Sequence, residues 1–236
     1  MAKYSYEDKE FGIVIINLRS GMSSTTARWK DGRLHLNAPI GSTRLWIADV
    51  IEKLRPKIRL MQTKRTLEYH VGQRIECFHY SVTIGTHSSN RNMFGYGGTG
   101  SELYVNIPDG IDISNHNVSK TISTALSRLM ADRAEATLIP FARQVAKGLG
   151  VNVKSYIIGR GLRKLGHCTY EKEIQLSANI MFFPEELVRY IICHELSHLT
   201  HMDHSAQFHN LCNIYCEGRE RALIRQLKEF NWPILR

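Results

Sequence analysis

No apolar run in this chain of 236 residues is long enough to cross a bilayer. Stretches such as Phe11 to Ile16 and Tyr190 to Cys193 fall far short of the roughly 20 residues a spanning helix needs. Met1 to Glu10 is polar and charged, without the apolar stretch of a secretory signal. Cysteine is sparse and odd in number, at Cys77, Cys168, Cys193, Cys212 and Cys216. Without an export signal, that usage argues for reduced thiols rather than a disulfide framework. Cys212 and Cys216, one helical turn apart, read as buried hydrophobes before they read as metal ligands. These absences set the expectation of a soluble, cytoplasmic chain with no membrane partner.

Acid is also short. Against 31 Lys and Arg there are 22 Asp and Glu, a net charge of +9. Between Arg19 and Arg65 eleven bases face three acids, Asp31, Asp49 and Glu52. From Arg143 to Lys164 there are six bases and no acid. Such imbalance attracts polyanionic or acidic partners over long range, although a solubilising surface is the plainer reading. No helix-turn-helix or zinc-finger module accompanies it.

What is present is an ordinary globular composition, 43% hydrophobic and 22% charged, in a chain long enough for one large domain or two small ones. The first half reads as strands and loops. Phe11 to Leu18 is β-branched and apolar, Arg33 to Ala38 alternates before Pro39, and Tyr69 to Ile84 supplies two or three short strands. Glu102 to Pro108 supplies another. Ser42 to Leu54 reads as an amphipathic helix, capped by Ser42 and ended before Pro56. Ser88 to Gly100 holds four glycines between Gly95 and Gly100, yet no Lys-Ser/Thr pair follows and the next segment is strand-like, so a flexible hairpin tip is expected rather than a phosphate loop. The second half is mainly helical. Asn117 to Lys147 has helical periodicity, with Pro140 expected to bend or split it and Gly148 and Gly150 to stop it. Strands follow at Val153 to Ile158 and Glu173 to Ser177. Helices then run from about Pro184 to Thr200, Ser205 to Cys216 and Glu217 to Phe230. No internal repeat stands out, and the composition changes near residue 115. The expected organisation is α+β, a basic strand-rich region at 1–115 packed on a mainly helical region at 116–236.

The informative segment is His194-Glu195-Leu-Ser-His198-Leu-Thr-His201-Met-Asp-His204. On a helix, His194 and His198 project from one face a turn apart, close enough to share one zinc ion. Glu195 flanks them and can reach a metal-bound water without being a ligand. On a straight helix His201 and His204 would be carried about 10 and 15 Å along the axis from His194, so the chain must turn back. A reversal at Met202-Asp203 would swing His204 toward the ion; Asp203 tolerates a left-handed conformation and Ser205 is a good N-cap. His204 is therefore the preferred third ligand, with His201 the substitute. Six of the eleven histidines fall between His167 and His209. Three imidazoles with an open fourth position suit a catalytic rather than a structural zinc site. Glu195 would act as general base in the attack of water on a carbonyl. The strand at Glu173 to Ser177 could take an extended peptide by edge pairing.

These motifs resemble the YgjP-like metal-dependent hydrolases, relatives of the SprT-like zinc metallopeptidases. The resemblance rests on His194-Glu-x-x-His198 followed by His204-Ser205 and Phe208-His209, and on Leu165-Gly166-His167-Cys168 leading into Ile174-Gln-Leu176 and Pro184. Arg28-Trp through Ala38-Pro39 and the Ser42 helix fit the family's basic, strand-rich opening. The chain departs from the family pattern at Leu165 for Trp, His167 for Ser, Asp203 for Asn and His209 for Trp. What the resemblance implies is a zincin-like peptidase core around one active-site helix, one zinc ion on His194, His198 and His204, and Glu195 as base, without a defined substrate; the leading reading is a zinc-dependent peptidase acting on protein or peptide bonds. A nucleic-acid-associated protein with a structural or secondary zinc site is the alternative. The departures leave the roles of His167, His201 and His209 open.

Overall fold

The computed structural model describes residues 3–30, 33–62, 67–88 and 93–235. It divides into two compact units, Met1–Thr66 and Leu67–Arg236. The change from strands to helices near residue 115 lies inside the second.

The first unit is a four-stranded sheet and a helix. Its strands are β1 (Lys3–Asp8), β2 (Gly12–Arg19), β3 (Thr26–Lys30) and β4 (Arg33–Pro39), in the order β1-β2-β4-β3. β2 and β4 are parallel and both edges are antiparallel. Alternation puts Val14, Ile16, Leu34, Leu36 and Ala38 on one face, where they meet Ile47, Ile51 and Ile58 of helix α1 (Arg44–Gln62). The helix is capped by Thr43, whose hydroxyl accepts from the Trp46 amide at 3.2 Å; Ser42 instead donates to the Pro39 carbonyl. It also continues through Pro56, where an end was expected. Arg55, one residue earlier, bonds Glu52 on its own helix and Asp8 and Glu10 of the first hairpin. With Ile58 buried one turn on, tertiary contacts offset the one backbone hydrogen bond that proline removes.

The second unit opens with the same pattern. β5 (Arg74–Cys77), β6 (Tyr80–His87), β7 (Gly95–Thr99) and β8 (Glu102–Pro108) are ordered β5-β6-β8-β7. They show the same pairing senses, and a helix, α2 (His116–Gly148), follows. The likeness reaches the residues. Leu34, Asn37, Pro39 and Gly41 recur at one constant spacing as Leu103, Asn106, Pro108 and Gly110. Gly41 and Gly110 both take left-handed backbone, φ 90° and 78°, to turn the chain after the proline. Val14 and Ile16 correspond to Val82 and Ile84, all fully buried. The chain thus holds two copies of a ββββα module, contrary to the expectation of no repeat; only the residues that set core and turn are shared.

Within the glycine-rich segment Gly95–Thr99 is strand β7 and Gly100 alone lies in the hairpin turn to β8, while residues 89–92 lie outside the described residues. Gly98 explains the composition: its φ is 126°, and a Cβ there would overlap the Glu102 carbonyl and the backbone of Leu103. α2 runs unbroken through Pro140, capped by the Asn115 side chain. Its face of Ile122, Leu126, Leu129 and Met130 joins the core.

A three-stranded sheet follows, built from β9 (Ser155–Gly159), β10 (Gly166–Cys168) and β11 (Glu173–Ser177) in the order β10-β11-β9. β10 was not anticipated. It takes one edge of β11 antiparallel while β9 takes the other parallel, so β11 has no free edge for a peptide. A 3-10 turn, Ala178–Phe182, leads into α3 (Glu185–His198), and α4 (Ala206–Tyr215) and α5 (Glu220–Glu229) complete the unit. Among the described residues no helix is long and apolar enough to cross a membrane.

Candidate metal centre

The apolar run Leu187, Val188 and Tyr190 to Cys193 buries α3 against the core, and Glu185 and Glu186 suit the positive end of its dipole. Its final turn therefore presents His194, Glu195 and His198 at fixed positions. The helix ends at His198, and Ser205 caps α4 by accepting from the Phe208 amide, as expected of it. Asp203 is not among the left-handed residues, so the reversal between the helices is made without one. It returns His204 over the last turn of α3.

The three imidazoles converge. Ring centroids lie 5.0 Å apart for His194 and His198, 5.2 Å for His194 and His204, and 4.7 Å for His198 and His204. The Nε2 atoms of His194 and His204 are 3.2 Å apart. One ligand atom from each of the three falls within 4.8 Å of the others, the one such group among the described residues. Fully buried Phe208 backs all three rings, at 4.9, 4.4 and 4.8 Å. An apolar floor under a ring of nitrogen donors holds ligands rigidly and keeps the dielectric low.

The tautomers favour a shared cation. His198 Nδ1 lies 3.0 Å from the His201 carbonyl, which can only accept, so Nδ1 carries the proton and Nε2 keeps its lone pair. His201 thus enters the centre through its backbone, not its ring. His194 Nδ1 is buried without a partner. Burial, reinforced by His198 and His204, pushes the His194 imidazole down to about 4. Burial likewise lowers His198. Both are neutral at physiological pH, as ligands must be. A neutral nitrogen set of this kind fits a divalent zinc-like ion.

Glu195 is 5% exposed, and burial raises its carboxyl to about 8, against the pull of Lys164. Its carboxylate lies on the backbone of β10: a Cβ on Gly166 would overlap Oε1. Two further histidines behave differently. His209 Nδ1 is held at 2.8 Å by the buried carboxylate of Glu220, with its ring 6.3 Å from His204. Glu220, eleven residues downstream, carries no pattern in the sequence that would have singled it out. His167 is exposed on β10. The buried thiols Cys193, Cys212 and Cys216 are free.

The sequence pattern of the family described as "YgjP-like, metallopeptidase domain" matches residues 25–229. Among solved structures, the metallopeptidase zymogen jannalysin of Methanocaldococcus jannaschii matches with 25% identity and a TM-score of 0.32, over 38% of this chain and 96% of that one. No curated protein matches.

Proposed function

Since the chain belongs to the YgjP-like metallopeptidase family and is by that membership a metal-dependent peptidase, we propose that it hydrolyses peptide bonds with one zinc ion on His194, His198 and His204 and with Glu195 as general base. The observation that carries this reading is the convergence of three imidazoles, with His194 and His198 held neutral by burial, beside the buried carboxyl of Glu195. In this reading α3 is the active-site helix of a zincin-like core. A zinc ion there would supply an acidified water and a polarised carbonyl oxygen.

The remaining work belongs to the chain. Glu195 takes a proton from the attacking water and passes it to the leaving amine. Gly166 lets the carboxylate lie close against β10, whose outer edge is the place for an extended substrate, since β11 is paired on both sides. The His201 carbonyl fixes the His198 ring, and Phe208 excludes water from beneath the centre.

Elemental analysis of tag-free wild-type protein beside Glu195→Gln, His204→Ala and His201→Ala, with peptide cleavage assayed in parallel, tests the assignment. Glu195→Gln should keep its zinc and lose about 10²–10⁴-fold in turnover. His204→Ala should lose zinc, and His201→Ala should keep it because only its backbone is used. Full zinc in His204→Ala would refute the ligand set. Metal-independent, salt-sensitive retention on DNA, without cleavage, would point to a nucleic-acid partner instead.

A further inference from the structure

The basic segment that ends at Lys164 leads directly into β10, and the structure shows what its last part builds. A cavity of about 530 Å³ opens there, lined among others by Arg163, Lys164, Gly166, His167, Gln175 and Ser177. Gly166 belongs both to this lining and to the contact with Glu195, so a single strand separates the cavity from the candidate catalytic carboxylate. No Asp or Glu lines it. Arg160 and Arg163 have no ion-pair partner among the described residues.

The loop is also held down. Ser177 Oγ donates to the Gly161 carbonyl at 2.7 Å, and Asn179 Nδ2 donates to the Arg160 and Gly161 carbonyls at 3.4 Å. Both side chains are 3% exposed. Buried polar groups thus fix the backbone that carries Arg160, Arg163 and Lys164, and a loop fixed in this way keeps its charges in place before a ligand arrives. A merely solubilising loop needs no such anchoring. Gln175, across from His167 in the β10–β11 register, adds an amide to the wall.

We propose that this cavity is a substrate subsite for a carboxylate, so that the enzyme favours peptides carrying an acidic group next to the bond held at Glu195. The inference rests on the hydrolase reading above and gives it a substrate class. Two sources share the chemistry, an Asp or Glu side chain and a free C-terminus. Arg163 and Lys164 attract and orient either one, and β10 supplies the backbone pairing that brings it there.

The test uses the full-length, zinc-loaded Glu195→Gln protein, which binds without cleaving. Four dye-labelled octapeptides, Ala- and Ser-rich with one central Glu or Gln and with a free or amidated C-terminus, are titrated by fluorescence anisotropy. Acetohydroxamate binding reports separately on the metal centre. The Glu peptide or the free-acid peptide should bind about tenfold more tightly than its neutral counterpart, and less so as salt rises. Which pair shows the difference identifies the source. Adding Arg163→Glu and Lys164→Glu should abolish the preference while zinc content and thermal midpoint stay unchanged. Equal binding of all four peptides, or of none, overturns the subsite, and so does a preference that survives charge reversal. If zinc and acetohydroxamate still bind in such a case, the hydrolase reading stands alone. Failure to bind zinc would remove that reading while the peptide preference continued to report on the cavity.

Discussion

A glycine without a Cβ decides how close Glu195 comes to β10. Gly166→Ala should push the carboxylate away from β10. Displacements of about 1 Å can cost on the order of 100-fold in rate, so peptide cleavage should fall by that order while zinc content measured by elemental analysis stays at the wild-type level. A cleavage rate within twofold of wild type would show that the contact does not position Glu195. The His-Glu-x-x-His spacing was legible because helical geometry alone puts two imidazoles on one face. The return of His204 toward that face was legible too, from the need for a reversal ahead of Ser205; the conformation that makes it was not, since Asp203 is not left-handed. A backbone carbonyl holding His198 leaves no trace in residue types, and neither does the pairing of His209 with Glu220.

Legibility at the scale of elements followed periodicity. Strands with alternating apolar residues, such as β2, β4 and β8, and the long helix α2 were readable; β10, three residues long, and glycine-rich β7 were not. In β7 Gly98 serves close packing against β8. Gly98→Ala should therefore cost on the order of 2–3 kcal/mol, through both its left-handed φ and the overlap with Glu102, and a lowered urea midpoint would register it. The prolines misled for the opposite reason: helices α1 and α2 each retain one where packing outweighs a missing hydrogen bond. Asp8 joins β1 to α1 through Arg55. Burial raises its carboxyl, but hydrogen bonds from Arg55 and from the Phe11 and Glu10 amides bring it down to about 2, below its ordinary 3.8. A carboxyl lowered by folding stabilises fully above the unfolded value and loses that contribution as pH falls toward 2. Urea midpoints followed through Trp29 and Trp46 should drop on acidification in the wild type, and less steeply in Asp8→Asn.

For the whole molecule, the second unit contains His194, Glu195, His198, His204 and its own core cluster. Residues 67–236 expressed alone should retain the zinc stoichiometry of the full chain; loss of metal with the fold intact by circular dichroism would show that the centre depends on the first unit. The division after Thr66 was not visible in composition, because the strands on either side of it look alike. They look alike because the ββββα module is written twice, and that has a consequence for biogenesis. During synthesis β2 emerges with β4 as its proper mate, but β8 later offers a near copy, with leucine, asparagine and proline in the same places. Tandem look-alikes are prone to exchange partners. Divergence outside those few positions, with β7 glycines where β3 carries Arg28 and Trp29, is what tells the two sheets apart.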